Sequence, residues 1–487
     1  MTTDLLNTTD WSAKALAGEW KTLSGGQLDV IEPATGQVLA QVALANAQDV
    51  QASAQMARQA QKPWAAMPYV ERARIFRKAA ELLEAHRQAF ATWIVRETGG
   101  IPPKAMFEID SVIHHCHEAA AMLTQSRGLV LPSVEGVTSL ARRVPHGVVG
   151  VISPFNFPFL LSSRAVLPAL ATGNAVILKP DARTPVSGGV MLALMLEAAG
   201  LPKGVLHMLP GAAEAGEALV TDPNVTMISF TGSTAVGRRV GELAGRHLKK
   251  VALELGGKNS FIILDDADLE MAICGGSWAS WLHQGQICMS AGRHLVHRSQ
   301  YDTYAARMAE KAQALPVGDP HTQPVALGPI ITAAQVQRVD RIVQASIGMG
   351  AKLLAGGTPN GPFYPATVLS EVTPDMPVFR EEIFGPVVAI TAFDSDSQAV
   401  TLANDSEYGL SAGIHTRDIG RGMALGEQLN VGLLHINDQT VNDDGTMPMG
   451  GRGASGNGSR HGGPANWDEF TQWQWTTIRN AAPAYPL

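Results

Sequence analysis

Val148-Val149-Gly150-Val151-Ile152-Ser153-Pro154-Phe155-Asn156 opens the stretch that decides the fold. Its first five residues are apolar without polar alternation, the pattern of a strand buried on both faces. The pattern returns in Val176-Ile177-Leu178, residues 205–209, residues 227–230 and Val251-Ala252-Leu253. Helix-length segments lie between, with helices read near 160–171 and 186–199. Buried strands alternating with helices imply βαβ units, and right-handed crossovers join these into an open, doubly wound parallel sheet. Such sheets bind ligands beyond the C-terminal ends of their strands. Here those ends carry residues 153–156, Lys179-Pro180-Asp181, Pro210-Gly211 and Thr231-Gly232-Ser233.

Upstream, Pro33-Ala34-Thr35-Gly36 between short apolar runs reads as a β-hairpin. Helices are predicted over 49–61, 71–98 and 104–125, the second stopping at Gly99-Gly100. Downstream, a second α/β block opens at Asn259-Ser260-Phe261-Ile262-Ile263-Leu264. It continues through strand-like runs at 295–296, 387–392, 411–415 and 433–437. Residues 449–464 are Gly-rich and read as loop; the tail alternates through Phe470, Trp473 and Trp475 as an edge strand facing a partner chain.

Composition narrows the function. The 487 residues are 17% charged and 45% hydrophobic, an ordinary globular balance. The net charge of −7 argues against nucleic acid or an anionic membrane as partner, since both require a basic field. No leader pattern is read at the N-terminus, and no uncharged apolar run reaches spanning length. Three cysteines, Cys116, Cys274 and Cys288, form neither a disulfide framework nor a zinc pattern, so a reducing, cytoplasmic setting is expected. His114, His115 and His117 lack accompanying carboxylates or thiols at ligand spacing, so no metal is expected.

Four segments carry candidate chemistry. Cys288, in Gly285-Gln286-Ile287-Cys288, follows a helix-like segment and falls at a turn, where rigid scaffolds place reactive groups. Its bland alternative is a small core residue. Glu254, before Leu255-Gly256-Gly257-Lys258, ends the fifth strand and is either a solvated carboxylate or a general base aimed into the cleft. Asn156, between Phe155 and Phe157 and flanked by Pro154 and Pro158, is an Asx-turn residue or a fixed amide donor for an oxyanion. Thr231-Gly232-Ser233, opening a helix, is a helix cap or an anion seat.

Together with Lys179-Pro180, Phe230-Thr231-Gly232-Ser233 and Glu381-Glu382-Ile383-Phe384-Gly385-Pro386, these motifs resemble the aldehyde dehydrogenase superfamily in order. The 34-residue gap from Glu254 to Cys288 also matches, and the resemblance spans residues 20–480. Lys179-Pro180-Asp181, His283-Gln284-Gly285-Gln286, residues 435–439 and Gly462-Gly463-Pro464-Ala465 are similar to the benzaldehyde dehydrogenase branch. The resemblance implies an α/β chain with a doubly wound dinucleotide-binding domain (1–122 and 147–256) and a second α/β catalytic domain (257–445). Segments 123–146 and 446–487 would bridge and oligomerise, including a small β arm.

The resemblance also implies roles. Cys288 would attack an aldehyde, with the Asn156 amide and the Cys288 N–H holding the oxyanion. Hydride would pass to NAD, with NADP possible, and Glu254 would activate water against the thioester. Lys179 and Glu382 would meet the riboses, Phe384 the nicotinamide, and Ser233 the pyrophosphate. Ser153, Pro154, Phe155, Asp181, Gly211, Phe230, Gly232, Gly237 and Leu255 would complete the cofactor seat. Phe157, Leu161, Ile287, Met289 and Thr440 would wall an aromatic substrate. A small-molecule aldehyde and a homodimer or homotetramer are the expected partners.

Two departures stand out. Ala182 replaces a glutamate that many NAD-preferring relatives carry, with Asp181 before it and Arg183 after it, which opens NADP use. Phe155 stands where the family often has tryptophan. Competing readings are an aliphatic or semialdehyde dehydrogenase, for which Arg164 is the nearby cation, and a CoA-acylating relative. From other classes come a catalytically silent protein on the same fold and a cysteine hydrolase using His283.

Overall fold

The computed structural model describes residues 5–486; residues 1–4, within the stretch read as leaderless, and residue 487 lie outside the described residues. A one-turn helix α1 (Thr8–Trp11) and strands β1 (Ala15–Leu16) and β2 (Trp20–Lys21) come first. The expected hairpin is β3 (Gln27–Ile31) paired with β4 (Val38–Ala43). Helices α2 (Ala47–Ala66), α3 (Tyr69–Ala85), α4 (Arg87–Thr98) and α5 (Pro102–Met122) follow. The helix predicted over 71–98 is thus two, joined at His86 (φ −111°, ψ 13°). No glycine or proline marks that joint. The His86 N–H still donates to the Leu82 carbonyl at 3.1 Å, so the ladder hides the break from a periodicity reading.

After β5 (Gly128–Leu131) and β6 (Val137–Pro145) comes the alternating region. It comprises β7 (Val148–Ile152), α6 (Pro158–Ala171), β8 (Ala175–Lys179), a π-helical turn (Val186–Val190) running into α7 (Met191–Ala198), and β9 (Leu206–Met208). It continues with α8 (Ala213–Thr221), β10 (Met227–Thr231), α9 (Thr234–Arg246) and β11 (Lys250–Glu254). The sheet order is β11-β10-β7-β8-β9-β1-β2. β11 through β9 are parallel, and β1 and β2 close the edge antiparallel. Successive residues serve opposite cores. Val149, Val151, Val176 and Leu178 pack on one face, while Val148, Ala175 and Ile177 pack on the other. Burial on both faces is why these strands are uniformly apolar.

The second block holds β12 (Asn259–Ile263), α10 (Leu269–Trp281), β13 (Ala291–His297), β14 (Lys352–Ala355), β15 (Thr367–Ser370) and β16 (Val387–Phe393). β17 (Tyr408–Gly409), β18 (Ser411–His415) and β19 (Leu433–Ile436) follow. Its sheet order is β14-β15-β16-β13-β12-β18-β19. β14 and β15 lie outside the strand-like runs of the sequence. Each is four residues long, and β14 is an edge strand whose side chains mostly face out, so no apolar run announces it.

The Gly-rich segment is loop apart from the two-residue β20 (Arg452–Gly453), which pairs with β17. It returns to the first sheet: the Leu255 N–H donates to the Ser455 carbonyl at 3.0 Å, and Glu254 bridges Gly456. The tail is an edge strand, β21 (Thr471–Arg479), paired with β6 from Thr471↔Pro145 to Arg479↔Val137. With β5 it makes a three-stranded antiparallel sheet.

Candidate active site

A cleft of about 780 Å³ opens where the C-terminal ends of the first sheet face the turn after α10. Cys288 lines it, as do Asn156, Phe157, Leu161, Ile287 and Met289. Phe157, Leu161, Ile287 and Met289 join Leu160 and Met449 in one apolar cluster. Thr440, expected in this wall, does not reach the cleft. Its side chain is buried and donates to the Met289 carbonyl at 2.7 Å, and neighbouring Val441 lines the wall instead.

The turn carrying Cys288 is held under strain. His283 (φ 49°) and Gln284 (φ 55°) adopt left-handed backbone, each costing on the order of 1–3 kcal/mol. Side-chain bonds hold the turn in place. The Gln284 amide donates to the carbonyls of Gly99 (2.9 Å) and Pro329 (2.8 Å), and Gln286 accepts from the Ile331 N–H at 3.0 Å. Asn259 Nδ2 donates to the carbonyls of Cys288 and Ser290, both at 2.8 Å, tying the turn to β12. The thiol opens on the cleft, and burial followed by the Glu382 carboxylate pushes it up to about 12. Among the described residues no histidine bonds the Cys288 sulfur. His283 is fully buried and packs edge-on against Phe157 at 5.5 Å, and burial holds its imidazole well below the usual range.

Glu254, at the end of β11, is 3% exposed, and neither carboxylate oxygen has a hydrogen-bond partner among the described residues. A buried carboxyl without donors is costly, which marks a group kept for chemistry over stability. Burial holds it well above the usual carboxylate range, opposed by the guanidinium groups of Arg164 and Arg460. Asn156, 3% exposed, precedes the start of α6. Arg164, on α6, pairs with Asp443 within the cleft wall, and its Nη1 meets Met449 Sδ at 2.9 Å.

The neighbouring strand ends fit a dinucleotide. Of the four helices that follow these strands, α8 carries Glu214 in its first turn, and two others have N-termini already filled by protein carboxylates. Glu97 accepts from the N–H groups of Val186 (2.8 Å) and Ser187 (2.6 Å), and Glu108 from those of Phe159 (3.0 Å) and Leu160 (3.1 Å). The fourth, α9, starts at exposed Ser233 with no acidic residue in its first turn, leaving its positive end open to an anion. A Cβ on Gly237 would lie 2.2 Å from Leu255 Cδ2, so α9 seats directly on Leu255. Ser153 and Pro154 follow β7, with Ser153 Oγ 2.8 Å from Ser162 Oγ. Phe230, the penultimate residue of β10, lies beneath Gly232, and Gly211 precedes α8.

Lys179 ends β8, and burial lowers its ammonium from the usual range. Glu382 accepts from the Gly257 N–H at 3.1 Å, and a Cβ on Gly256 would strike its carboxylate at 2.4 Å. Phe384 and Phe155 meet edge to face at 5.7 Å. Asp181 holds Arg183 in a two-point contact (Nε–Oδ1 2.8 Å, Nη2–Oδ2 2.7 Å), and Arg183 lies 4.0 Å over the Phe155 ring.

The site gathers residues distant in sequence. Val441, Asp443 and Met449 come from irregular chain beyond β19, and Lys104 and Phe107 come from α5. Neither group carries a local pattern that announces a cleft. Lys104 and Glu108, charges one helical turn apart among the buried residues of α5, are the local signal of this side of the site.

Residues 20–476 match the model of the aldehyde dehydrogenase family. The chain is 52% identical to a vanillin dehydrogenase of Amycolatopsis sp. and 50% identical to a benzaldehyde dehydrogenase [NAD(+)] of Pseudomonas putida, each over 98% of both chains. Its structure resembles that of a salicylaldehyde dehydrogenase from Pseudomonas putida G7 complexed with salicylaldehyde, with a TM-score of 0.94 and 34% identity. That match covers 97% of this chain and 99% of the other. The chain belongs to the aldehyde dehydrogenase family.

Proposed function

We propose that the protein oxidises aromatic aldehydes to carboxylic acids with NAD through a cysteine-bound intermediate. The observation that carries this reading is an unpartnered buried carboxylate, Glu254, whose charge acts on the Cys288 thiol, while Cys288 and Asn156 line one cleft that is apolar apart from Lys104, Arg164 and Asp443. A planar ring buries well against Phe157, Leu161, Ile287 and Met289, and a rigid ring loses little entropy on binding. The substrates named in the relatives above, vanillin, benzaldehyde and salicylaldehyde, support the same class.

Cys288 is the nucleophile in this reading. Its thiol, raised by burial, gives up its proton to solvent before attack. As the C–S bond forms, the Asn156 amide and the Cys288 N–H hold the developing oxyanion. Cys288 then keeps the acyl group as a thioester while Glu254 takes a proton from the attacking water, releasing the acid and restoring the thiol. Bound NAD supplies the hydride acceptor. Ser233 and the open end of α9 would hold its pyrophosphate, with Phe230, Gly232, Gly237 and Leu255 beneath. Lys179 and Glu382 would hold the riboses, and Phe384 the nicotinamide. Residues 1–122 with 147–256 then form the dinucleotide-binding domain and 257–445 the catalytic domain, bridged by 123–146 and 446–487.

The semialdehyde alternative loses ground because Asp443 already neutralises Arg164. The β5-β6-β21 sheet exposes Leu129, Val130, Trp473 and Trp475, an apolar surface suited to a second copy of the chain in a homodimer or homotetramer. Three unpaired cysteines suit a reducing cytoplasm, and no helix among the described residues is long and apolar enough to cross a membrane. NADH formation at 340 nm with benzaldehyde, hexanal and acetaldehyde tests the reading. About 3 kcal/mol of extra ring burial gives benzaldehyde roughly a hundredfold advantage in kcat/KM over acetaldehyde. Equal values would overturn the aromatic assignment.

A further inference from the structure

Two buried charges outside the reacting set press against the segment that carries Asn156. Lys104 and Glu108 lie one turn apart on α5 with no side-chain exposure, and Lys104 Nζ is 2.5 Å from Glu108 Oε1. The other oxygen, Glu108 Oε2, accepts from the Phe159 N–H at 3.0 Å and the Leu160 N–H at 3.1 Å. Those are the second and third residues of α6. Its first residue, Pro158, has no N–H, and Phe157 supplies no capping side chain. The Leu161 N–H already donates to the Phe157 carbonyl at 2.8 Å. Glu108 therefore satisfies every donor that the first turn of α6 leaves open after Phe157. Lys104 Nζ also sits 4.5 Å from the centre of the Phe157 ring, which Phe107 braces edge-on at 6.4 Å.

Stability alone does not account for this pair. A buried ion pair contributes little, and apolar residues of similar volume commonly hold a fold as well or better. What the carboxylate adds is a cap supplied from another helix, fixing the backbone immediately after Asn156. We propose that Glu108, neutralised by Lys104, is a positioning residue that aims the Asn156 amide at the oxyanion. The proposal rests on the aldehyde dehydrogenase reading above.

The test separates cap from charge. Lys104→Met with Glu108→Gln keeps an acceptor oxygen for the cap and removes both charges. Lys104→Met with Glu108→Leu removes the acceptor as well. Folding of both is confirmed by circular dichroism and thermal melting, and NAD affinity is measured by calorimetry. Both pairs carry the same Lys104→Met change in the cleft wall, so kcat for benzaldehyde in the Leu pair is compared with that in the Gln pair and not with wild type. The Leu pair should lose about thirtyfold or more in kcat with KM and NAD affinity little changed, as expected for lost transition-state contact. Adding Asn156→Ala to the Leu pair should cost little further, because the two changes act through one amide. Hydrogen exchange should rise over residues 156–161 in the Leu pair and not in the Gln pair, a readout independent of turnover. Equal kcat in the two pairs, full additivity with Asn156→Ala, or unchanged exchange would overturn the proposal. Absence of turnover in the wild type would instead overturn the functional reading and leave the exchange comparison to decide this one.

Discussion

Arg164 and Asp443 form an ion pair inside the cleft wall, their side chains only 8% and 11% exposed. A lone buried guanidinium would attract a substrate carboxylate, but here the protein supplies the carboxylate itself. Breaking such a pair leaves an uncompensated charge, which a charged ligand can then satisfy. Asp443→Asn should raise kcat/KM for succinate semialdehyde by about tenfold and lower it for benzaldehyde, reversing part of the selectivity. Steady-state kinetics with both aldehydes decide this. An unchanged ratio would show that Arg164 takes no part in substrate choice.

Glu254→Gln removes a buried carboxyl that lacks a hydrogen-bond partner among the described residues while keeping its shape. Thioester hydrolysis should then limit the reaction. A rapid burst of about one NADH per active site, followed by turnover slowed by roughly 10²–10⁴, is expected in stopped-flow absorbance. A wild-type steady-state rate would assign hydrolysis to another group.

The Cys288 thiol, pushed up to about 12 by burial, is protonated at neutral pH in the free protein. A raised thiol pKa leaves the reactive thiolate scarce until the pH approaches it, so reactivity climbs with pH and does not plateau near neutrality. Iodoacetamide inactivation should accelerate about tenfold per pH unit between pH 6 and 9, and Cys288→Ala should neither react at this site nor turn over. A plateau near pH 7 would mean that the free enzyme holds a thiolate.

Much of this was legible in the sequence because it is local. The uniformly apolar runs 148–152 and 176–178 read as doubly buried because both faces do pack. Cys288, Glu254 and Asn156 sit in short motifs at strand ends and turns, and it is the order of those motifs, through the family resemblance, that groups them. The rest depended on tertiary contact. Thr440 and Val441 are adjacent, and only the turn after β19 decides which of them faces the cleft. Asp443 acquires meaning only beside Arg164, 279 residues earlier. Arg183 alone suggests NADP use, but its partner two residues away decides how free it is.

Asp181 and Arg183 set the final expectation. An arginine near the ribose favours a 2′-phosphate, yet this guanidinium is engaged at two points by Asp181 and lies flat on Phe155. The carboxylate also repels a phosphate, so both residues act in favour of NAD while the pair is intact. Asp181→Ala releases the guanidinium and removes the repulsion together. The ratio of kcat/KM for NADP to that for NAD should rise by about tenfold or more, and calorimetric affinity for NADP should rise in parallel. The gain should vanish in Asp181→Ala with Arg183→Ala, because the released guanidinium supplies the new contact. A gain that survives loss of Arg183 would assign the discrimination to repulsion by Asp181 alone, and no gain in either variant would place it elsewhere in the cofactor seat.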